Sequence, residues 1–173
     1  MKRRFRYRIY PTATQKIELS KLFGCCRVVW NEALTFCEDQ HRLGIKKPSY
    51  NSLSKRLTEI KKTEERIWLG EVAAIPLQQS LRDLDQAYKN AFDSLTGKRK
   101  GKKVNFPKRK KRKSKQSARF TKNGFKVDQQ GITLSKMRRK TTAKVAVANE
   151  ASTIKVVTQL SLFDCSNSHF KIS

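Results

Sequence analysis

The sequence predicts an α+β protein in which a bundle of helices follows a first strand and precedes a further group of strands. Three observations support this prediction: basic and apolar side chains alternate over residues 3–10, apolar residues recur at intervals of three and four over residues 13–97, and the interval returns to two after residue 117. A period of two is typical of a strand with one buried face, and a period near 3.6 is typical of an amphipathic helix. These patterns leave open whether the first strand joins the later ones.

The first strand is predicted over residues 3–10, RRFRYRIY, and Pro11 ends it. Thr12 and Gln15 have the spacing of a capping box, in which the hydroxyl accepts a hydrogen bond from a free backbone N–H and the amide reaches back. A helix is therefore expected to begin at about Ala13.

Four helical stretches are expected before the chain reaches Gly97. Gly24 predicts an end or a kink in the first stretch, so a second is expected over about residues 25–40. A shorter helix with a basic face is introduced by Ser49 and Tyr50. The last helix is expected to begin at Pro76, with a buried stripe made of Leu77, Leu81, Leu84, Tyr88, Ala91, Phe92 and Leu95.

Short strands are expected after the helices, because apolar residues alternate there and turn residues separate the segments. The turn residues are Asn123-Gly124, Gln130-Gly131 and Asn149-Glu150. The expected strands cover residues 117–122, 125–127, 132–134, 143–148 and 153–158.

A strongly basic segment, residues 98–115 (KRKGKKVNFPKRKKRKSK), contains twelve Lys or Arg among eighteen residues. The sequence has no acidic residue between Asp93 and Asp128, so these charges repel one another and hold the segment extended unless a polyanion neutralises them. Two interpretations stay open, a solvated or disordered linker and a nucleic-acid-binding segment. The second is favoured because the chain as a whole has 40 Lys and Arg against 14 Asp and Glu, a formal charge of +26.

The composition also predicts the compartment and the role of the cysteines. The sequence has no run of about 18 apolar residues and no apolar segment behind its basic start, so we expect no membrane partner and a cytoplasmic protein. Its four cysteines form no Cys-x-x-Cys pair, and we expect them to be apolar packing residues rather than zinc ligands. They are Cys25, Cys26, Cys37 and Cys165.

Catalytic motifs are not found in the sequence. A metal-dependent nuclease needs carboxylates that converge on Mg²⁺, whereas the acidic residues here fall mainly on predicted solvent faces of helices. There is no Gly-rich phosphate loop and no dinucleotide fingerprint. We therefore expect that this chain, as it stands, is not an enzyme and uses no cofactor.

Several blocks of sequence carry a family resemblance: FRYRIYPTATQKIELSKLFGCCRVVWNEAL, SYNSLSKRLTEIKK, WLGEV, PLQQSLRDLDQAYKNAF and GKKVNFPKRKKRKSKQSARFT, in this order. From about Phe5 to Met137 the chain resembles the N-terminal half of TnpB, a family of transposon-encoded proteins that is related to type V CRISPR nucleases and often called transposases. The resemblance implies an RNA-guided DNA endonuclease family, in which a guide RNA reads sequence by base pairing and the protein reads a short duplex motif beside the target. The implied partners are DNA and a transposon-derived guide RNA.

The resemblance also implies a fold, in which a helix-turn-helix-like recognition lobe is inserted into a small, wedge-like antiparallel β-barrel that is either complete or incomplete. The implied division is a first strand at 1–11, a helical recognition domain at 12–97, a basic linker at 98–116 and the remaining strands at 117–173, with a degenerate tail from about 138. The RuvC-like nuclease domain of the family, with its metal-binding acids, is expected to be absent from this chain.

By this resemblance, five residues fall where the family contacts the target-adjacent duplex: Tyr50, Ser54, Gln78, Thr121 and Lys122. Gln can pair bidentately with adenine, and the other side chains can reach phosphates or base edges. The alternatives are a solvent-facing helix residue for Gln78 and a packing role for Tyr50 and Trp68. The residues expected to position phosphates are Arg3, Arg4, Arg6, Lys102, Lys103, Lys108, Arg109, Lys110, Lys111, Arg112 and Lys113.

Two classes of function stay open. In the first, the chain is a nucleic-acid-binding part of a TnpB-type protein that binds guide RNA and target DNA in DNA transposition, without cutting. In the second, it is a decayed transposon reading frame, and its affinity for polyanions is only nonspecific charge attraction.

Overall fold

The computed structural model describes residues 7–128, 131–137, 141–142, 153–159 and 169–172. Strand β1 covers Tyr7–Ile9, and helices α1, α2 and α3 cover Ala13–Arg42, Tyr50–Ile60 and Ala74–Leu95. Strands β2 to β7 cover Ser117–Thr121, Phe125–Asp128, Gly131–Leu134, Thr141–Thr142, Thr153–Gln159 and His169–Ile172. Two 3₁₀ helices cover Glu64–Gly70 and Lys122–Gly124. The predicted α+β class, with helices between the first strand and the later ones, is confirmed.

Helix α1 runs without interruption through Gly24, so the predicted end of a first helix at that residue is wrong. The predicted capping box is confirmed: the Thr12 N–H donates to Gln15 Oε1 at 2.9 Å, and the Gln15 N–H donates to Thr12 Oγ1 at 3.4 Å. A glycine inside a helix costs about 1 kcal/mol relative to alanine. Large apolar side chains are buried on both sides of it, such as Phe23 and Val29, and each such burial contributes roughly 1.5–3 kcal/mol. The continuous buried stripe therefore outweighs the cost of the glycine.

Helix α2 begins as predicted, with Ser49 as its N-cap. The Ser49 hydroxyl oxygen accepts a hydrogen bond from the Ser52 N–H at 3.3 Å. Leu53 and Leu57 are buried on one side of the helix, whereas Lys55 is exposed. The predicted amphipathic helix with a basic outer face is confirmed.

Helix α3 begins at Ala74, two residues before the predicted start at Pro76. Proline is tolerated there because the first N–H groups of a helix have no partner within it. The buried stripe extends from Leu77 to Ala91, whereas Phe92 and Leu95 are 45% and 57% exposed. The prediction that the stripe includes these two residues was wrong, because periodicity indicates a helix face but not how far its neighbours cover it.

The strands form two antiparallel sheets, with the strand orders β1-β7-β6-β2 and β3-β4-β5. Strand β1 therefore joins the later strands, through β7. Within the described residues no strand pairing connects the two sheets, so a closed barrel is not seen in this part of the chain. The strand predicted over residues 143–148 lies outside the described residues, and the division into domains stays a prediction.

The helices and the strands share one hydrophobic core. Ala118 and Phe120 of β2 are buried in it, and Arg119 between them forms an ion pair with Asp83 of α3, with 2.9 Å between nitrogen and oxygen. Gly124 approaches the start of α3 so closely that a Cβ built on it would lie 3.2 Å from a side-chain carbon of Ile75. These contacts fix the position of β2 and of the following 3₁₀ helix relative to α3.

Three of the four cysteines lie in the described part of the chain. Cys25, Cys26 and Cys37 are buried free thiols, as expected of packing residues, and Cys165 lies outside the described residues. Burial raises the pKa of Cys25 to about 11 and the pKa of Cys26 to about 12. In the described part of the chain, none of the helices has the length and apolar character needed to cross a membrane.

Candidate nucleic-acid interface

The basic segment contains neither helix nor strand over residues 98–116, yet it lies against the helical bundle. The Val104 N–H donates to Ser94 Oγ at 3.0 Å. Two residues further on, the centroid of the Phe106 ring lies 5.4 Å from that of Phe92, with the rings in a T-shaped arrangement. The first half of the segment is therefore docked on the last turns of α3.

Two neighbouring residues of α1 hold the second half of the segment. Trp30 Nε1 donates to the Lys108 carbonyl oxygen at 3.1 Å. Asn31 Nδ2 donates to the Lys110 carbonyl oxygen at 3.1 Å, and Asn31 Oδ1 accepts from the Lys110 N–H at 2.8 Å. All three bonds use main-chain atoms of the segment. They hold it in place without using its charged groups.

Side chains of the segment add contacts with the same helix. The Lys110 ammonium lies 3.9 Å from the centroid of the Trp30 ring, a geometry that gives a favourable cation–π interaction. Arg109 Nη2 donates to Thr35 Oγ1 at 2.7 Å. The segment is thus docked on α1 as well as on α3, which disfavours the interpretation of a freely solvated linker.

We call residues 102–113 the basic ridge. Acidic residues on the supporting helices are paired with cations outside it: Glu32 with Arg66 at 2.7 Å, and Asp85 with Lys47 at 2.6 Å. These carboxylates are therefore paired with cations that do not belong to the ridge, whose positive charge can attract a phosphate backbone. The exposed basic residues of the ridge are Lys102, Lys103, Lys108, Arg109, Lys111, Arg112 and Lys113, and Lys110 is half-buried.

Three of the five residues predicted to contact duplex DNA lie on α2 and α3. Tyr50 and Ser54 are one turn apart on α2, and Gln78 is exposed on α3. The guanidinium carbon of Arg82 lies 4.9 Å from the centroid of the Tyr50 ring. Because Gln78 precedes Arg82 by four residues, both lie on the same face of α3. Arg82 thus connects the Gln78 face of α3 to Tyr50.

The other two residues, Thr121 and Lys122, lie at the end of β2 and the start of the next 3₁₀ helix. That 3₁₀ helix ends at Gly124, which lies against Ile75. Ile75 precedes Gln78 by three residues on α3, so it lies near the same face. This side of α3 therefore has α2 near one end and the 3₁₀ helix near the other. We call the surface formed by these three elements and the end of β2 the α3 face. Its members are Tyr50, Ser54, Gln78, Arg82, Thr121 and Lys122.

Two aromatic residues that the sequence singled out contribute to packing. Tyr50 and Trp68 are both half-buried against the hydrophobic core, and Trp68 Nε1 donates to the Glu65 carbonyl oxygen at 2.8 Å. The exposure of Gln78 fits both a contact residue and a solvent-facing residue. Three predicted phosphate contacts lie outside the described residues: Arg3, Arg4 and Arg6.

Sequence patterns did not identify Trp30, Asn31 and Arg82 as parts of these surfaces. Trp30 is buried in the predicted stripe, and its indole N–H nevertheless reaches the ridge. No local sequence pattern indicates the role of Asn31, because its hydrogen-bond partner, Lys110, is 79 residues away. Phe106 interrupts the run of charges, but no role was predicted for it from the sequence.

Among the described residues, no three His, Cys, Asp or Glu side chains are grouped closely enough to hold a metal ion. Arg56, Arg66 and Arg109 line an open cleft of about 450 Å³ beside α1, together with Glu32 and Asp39. The hydrogen bond and the charge of Glu32 raise the pKa of Arg66, so this guanidinium stays charged.

Comparison with known proteins gives one family and two curated relatives. A family model described as a helix-turn-helix domain, HTH_OrfB_IS605, matches residues 1–46. A protein of Streptomyces pristinaespiralis named "Putative RNA-guided DNA endonuclease" is 42% identical over 142 residues, which are 79% of this chain and 32% of that protein. "Putative RNA-guided DNA endonuclease InsQ" of Escherichia coli K12 is 36% identical over 126 residues, 73% of this chain and 29% of that protein. The chain spans about a third of the length of these relatives.

The region matched by the helix-turn-helix model has a simple structure here. Its described part, from residue 7 to residue 46, contains β1 and one continuous helix, α1. The next helix, α2, begins only at Tyr50, after the matched region ends. The model match and the long similarities to the two relatives agree with one another. These findings confirm the resemblance of this chain to the N-terminal part of the TnpB family.

Proposed function

We propose that this chain is a nucleic-acid-binding region of a TnpB-type protein, which binds target DNA and a transposon-derived guide RNA during DNA transposition. The observation that carries the proposal is the docking of the basic ridge by Trp30 and Asn31. Three hydrogen bonds between these side chains and the main chain hold the ridge and use none of its charged groups, most of which are exposed. A nucleic-acid backbone gains affinity from such a positive surface by releasing its counterions.

The ridge and the α3 face would have different tasks. The ridge carries mainly Lys and Arg, which bind phosphates of any sequence. The α3 face presents Gln78, which can pair bidentately with adenine in the major groove, beside Arg82 and the hydroxyl groups of Tyr50, Ser54 and Thr121. We propose that the ridge supplies affinity for RNA and DNA, with Arg3, Arg4 and Arg6 adding to it, and that the α3 face reads the duplex beside the target.

We propose further that the two sheets form part of a wedge-like barrel and that binding by this chain does not itself cut DNA. The ion pairs of Glu32 and Asp85 with basic side chains support the second point, because a metal-dependent cut needs carboxylates that converge on a metal ion. A metal-dependent cut of plasmid DNA by the purified chain would contradict it. The cytoplasm, where transposon DNA and its transcripts meet, is the compartment that this function requires.

The experiment that tests the proposal is to express the chain in a bacterium that carries the neighbouring transposon end. The chain is purified at high salt, challenged with an excess of random RNA, and the retained RNA is sequenced. One enriched RNA from the transposon end is the expected result. A broad mixture of abundant cellular RNA would contradict guide binding and would favour a decayed reading frame with only nonspecific affinity.

A further inference from the structure

Two phenylalanines form an exposed aromatic pair where the basic ridge meets the end of α3. Phe92 is 45% exposed and Phe106 is 46% exposed, although each buries part of its ring against the other at a centroid distance of 5.4 Å. The rings meet at 82°, so the edge of one is directed at the face of the other. The remaining ring faces are not covered by this contact.

The pair packs against the buried ring of Tyr88. The centroid of this ring lies 6.3 Å from that of Phe92 and 6.2 Å from that of Phe106. Burial raises the pKa of Tyr88 to about 12, so this side chain stays uncharged at neutral pH. Lys47 also lies over the Tyr88 ring, 5.5 Å from its centroid. The exposed rings are therefore held by packed neighbours rather than placed on a loose loop.

The ridge on one side of the pair is positively charged. Lys102, Lys103 and Lys108 lie within four residues of Phe106 along the ridge, and all three are exposed. An apolar surface that attracts another protein is usually flanked by polar residues of mixed charge. Aromatic rings beside a basic segment are instead typical of proteins that bind single-stranded nucleic acid, where bases stack on rings and cations hold the backbone.

We propose that Phe92 and Phe106 form a stacking platform for an unpaired nucleobase of single-stranded RNA or DNA. Lys102, Lys103 and Lys108 bind the phosphates that flank that base. A base within a duplex is stacked on its neighbours and cannot use the platform, so the site distinguishes single strands from duplexes. This inference rests on the proposed nucleic-acid binding and assigns one part of it to two residues.

The test compares the parent chain with Phe92→Ala, Phe106→Leu and Phe106→Tyr. The leucine keeps an apolar side chain against α3 but removes the ring, and the tyrosine keeps the ring. Ile67→Ala is the matched control, because Ile67 is an exposed apolar residue, 66% accessible, on the 3₁₀ helix Glu64–Gly70. The probes are a 12-nucleotide single strand containing one 2-aminopurine and a duplex of the same length. Dissociation constants and the quenching of 2-aminopurine fluorescence are measured.

Stacking of one base contributes about 1–3 kcal/mol, so affinity for the single strand should fall about 5- to 150-fold in Phe92→Ala and Phe106→Leu. Duplex affinity should change less than about 2-fold, and both Phe106→Tyr and Ile67→Ala should behave as the parent. Equal losses for single strand and duplex would overturn the platform, because they would mean that the ridge itself had been displaced. Unchanged single-strand affinity in both variants would overturn it as well and would leave the patch to a protein partner.

The failure of this inference is distinguishable from the failure of the proposed function. If the parent chain binds single strand and duplex alike without quenching 2-aminopurine, the platform is refuted while nucleic-acid binding stands. If the parent binds neither probe at low salt, the proposed function fails, and the platform fails with it.

Discussion

The side-chain amide of Asn31 forms two hydrogen bonds with the main chain of Lys110, which lies 79 residues further along the sequence. One amide group thereby satisfies both the N–H and the carbonyl of a residue in the most highly charged part of the chain. With Trp30, it converts a segment that would repel itself into a docked ridge on α1. The ridge is ordered through its main chain, so most of its charged side chains stay exposed to a polyanion.

The first prediction concerns the indole N–H of Trp30. Trp30→Phe keeps a ring in the core but removes the bond to the Lys108 carbonyl, so the free energy of unfolding should fall by about 1 kcal/mol or more. Urea denaturation measures this change, and affinity for a single-stranded RNA should fall with it. Trp68→Phe is the control, because its N–H bonds only to the nearby Glu65 carbonyl and its loss should leave RNA affinity unchanged. RNA affinity that falls equally in both variants would contradict a special role of Trp30.

The second prediction concerns salt. If the ridge neutralises about six phosphates, affinity for duplex DNA should fall roughly 1,000-fold between about 50 and 200 mM salt. Lys111→Ala combined with Lys113→Ala should reduce the slope of log affinity against log salt by up to about 1.8. The control combines Lys62→Ala with Lys126→Ala, two exposed lysines outside the ridge and the α3 face. If the control variant reduced the slope by the same amount, binding would depend only on the net charge of the chain and not on the ridge.

The third prediction concerns Gln78 on the α3 face. In a selection of duplexes from a randomised library, the parent chain should enrich a short motif, and Gln78→Ala should lose the preference at one position of it. A bidentate contact between Gln and adenine discriminates by about 1–3 kcal/mol. Gln86→Ala, another exposed α3 residue, whose amide bonds to Asn90, should keep the parent preference. If Gln78→Ala enriched the same motif as the parent chain, Gln78 would be a solvent-facing residue that does not contact a base.

The fourth prediction concerns the buried thiols. Because burial raises the pKa of Cys25 to about 11 and of Cys26 to about 12, both stay protonated at pH 8 in the folded protein. In a Cys165→Ser variant, a thiol-specific reagent should therefore react slowly until a denaturant is added. The raised pKa also predicts that the contribution of these thiols to stability is complete below pH 9 and is lost as pH rises towards 11 to 12. Rapid labelling of the native protein at pH 8 would show that these thiols are not packed as described.

The sequence predicted those features of the fold that depend on neighbouring residues. The capping box of Thr12 and Gln15, the N-cap at Ser49 and the alternation in β2 are local patterns, and each is confirmed. The interruption at Gly24 was predicted from local propensity, which the buried stripe of α1 overrides. Tertiary burial of this kind is not visible in a window of a few residues.

The candidate site was less predictable, because its contacts join distant parts of the chain. The basic residues of the ridge could be identified from charge alone, but their docking depends on Trp30 and Asn31, 78 and 79 residues away. The apolar spacing of α3 includes Phe92, but its exposure depends on how far the neighbouring elements extend along the helix. The six members of the α3 face came from a family resemblance, except for Arg82, which only the contact with Tyr50 identifies.

The central claim is that the ridge binds nucleic acid as a docked surface and not merely as a collection of charges. Asn31→Ala tests it most directly, because the substitution removes both hydrogen bonds to Lys110 and changes no charge. The control is Asn90→Ala, whose side chain bonds only within α3, and thermal unfolding verifies that both variants are folded.

The measurement is the dissociation constant for a 20-nucleotide RNA at 150 mM salt. A docked ridge predicts that Asn31→Ala binds about 5-fold more weakly than the parent, which corresponds to about 1 kcal/mol of lost preorganisation, while Asn90→Ala binds as the parent does. Equal affinity of Asn31→Ala and the parent would contradict the claim, because charge alone would then account for the binding.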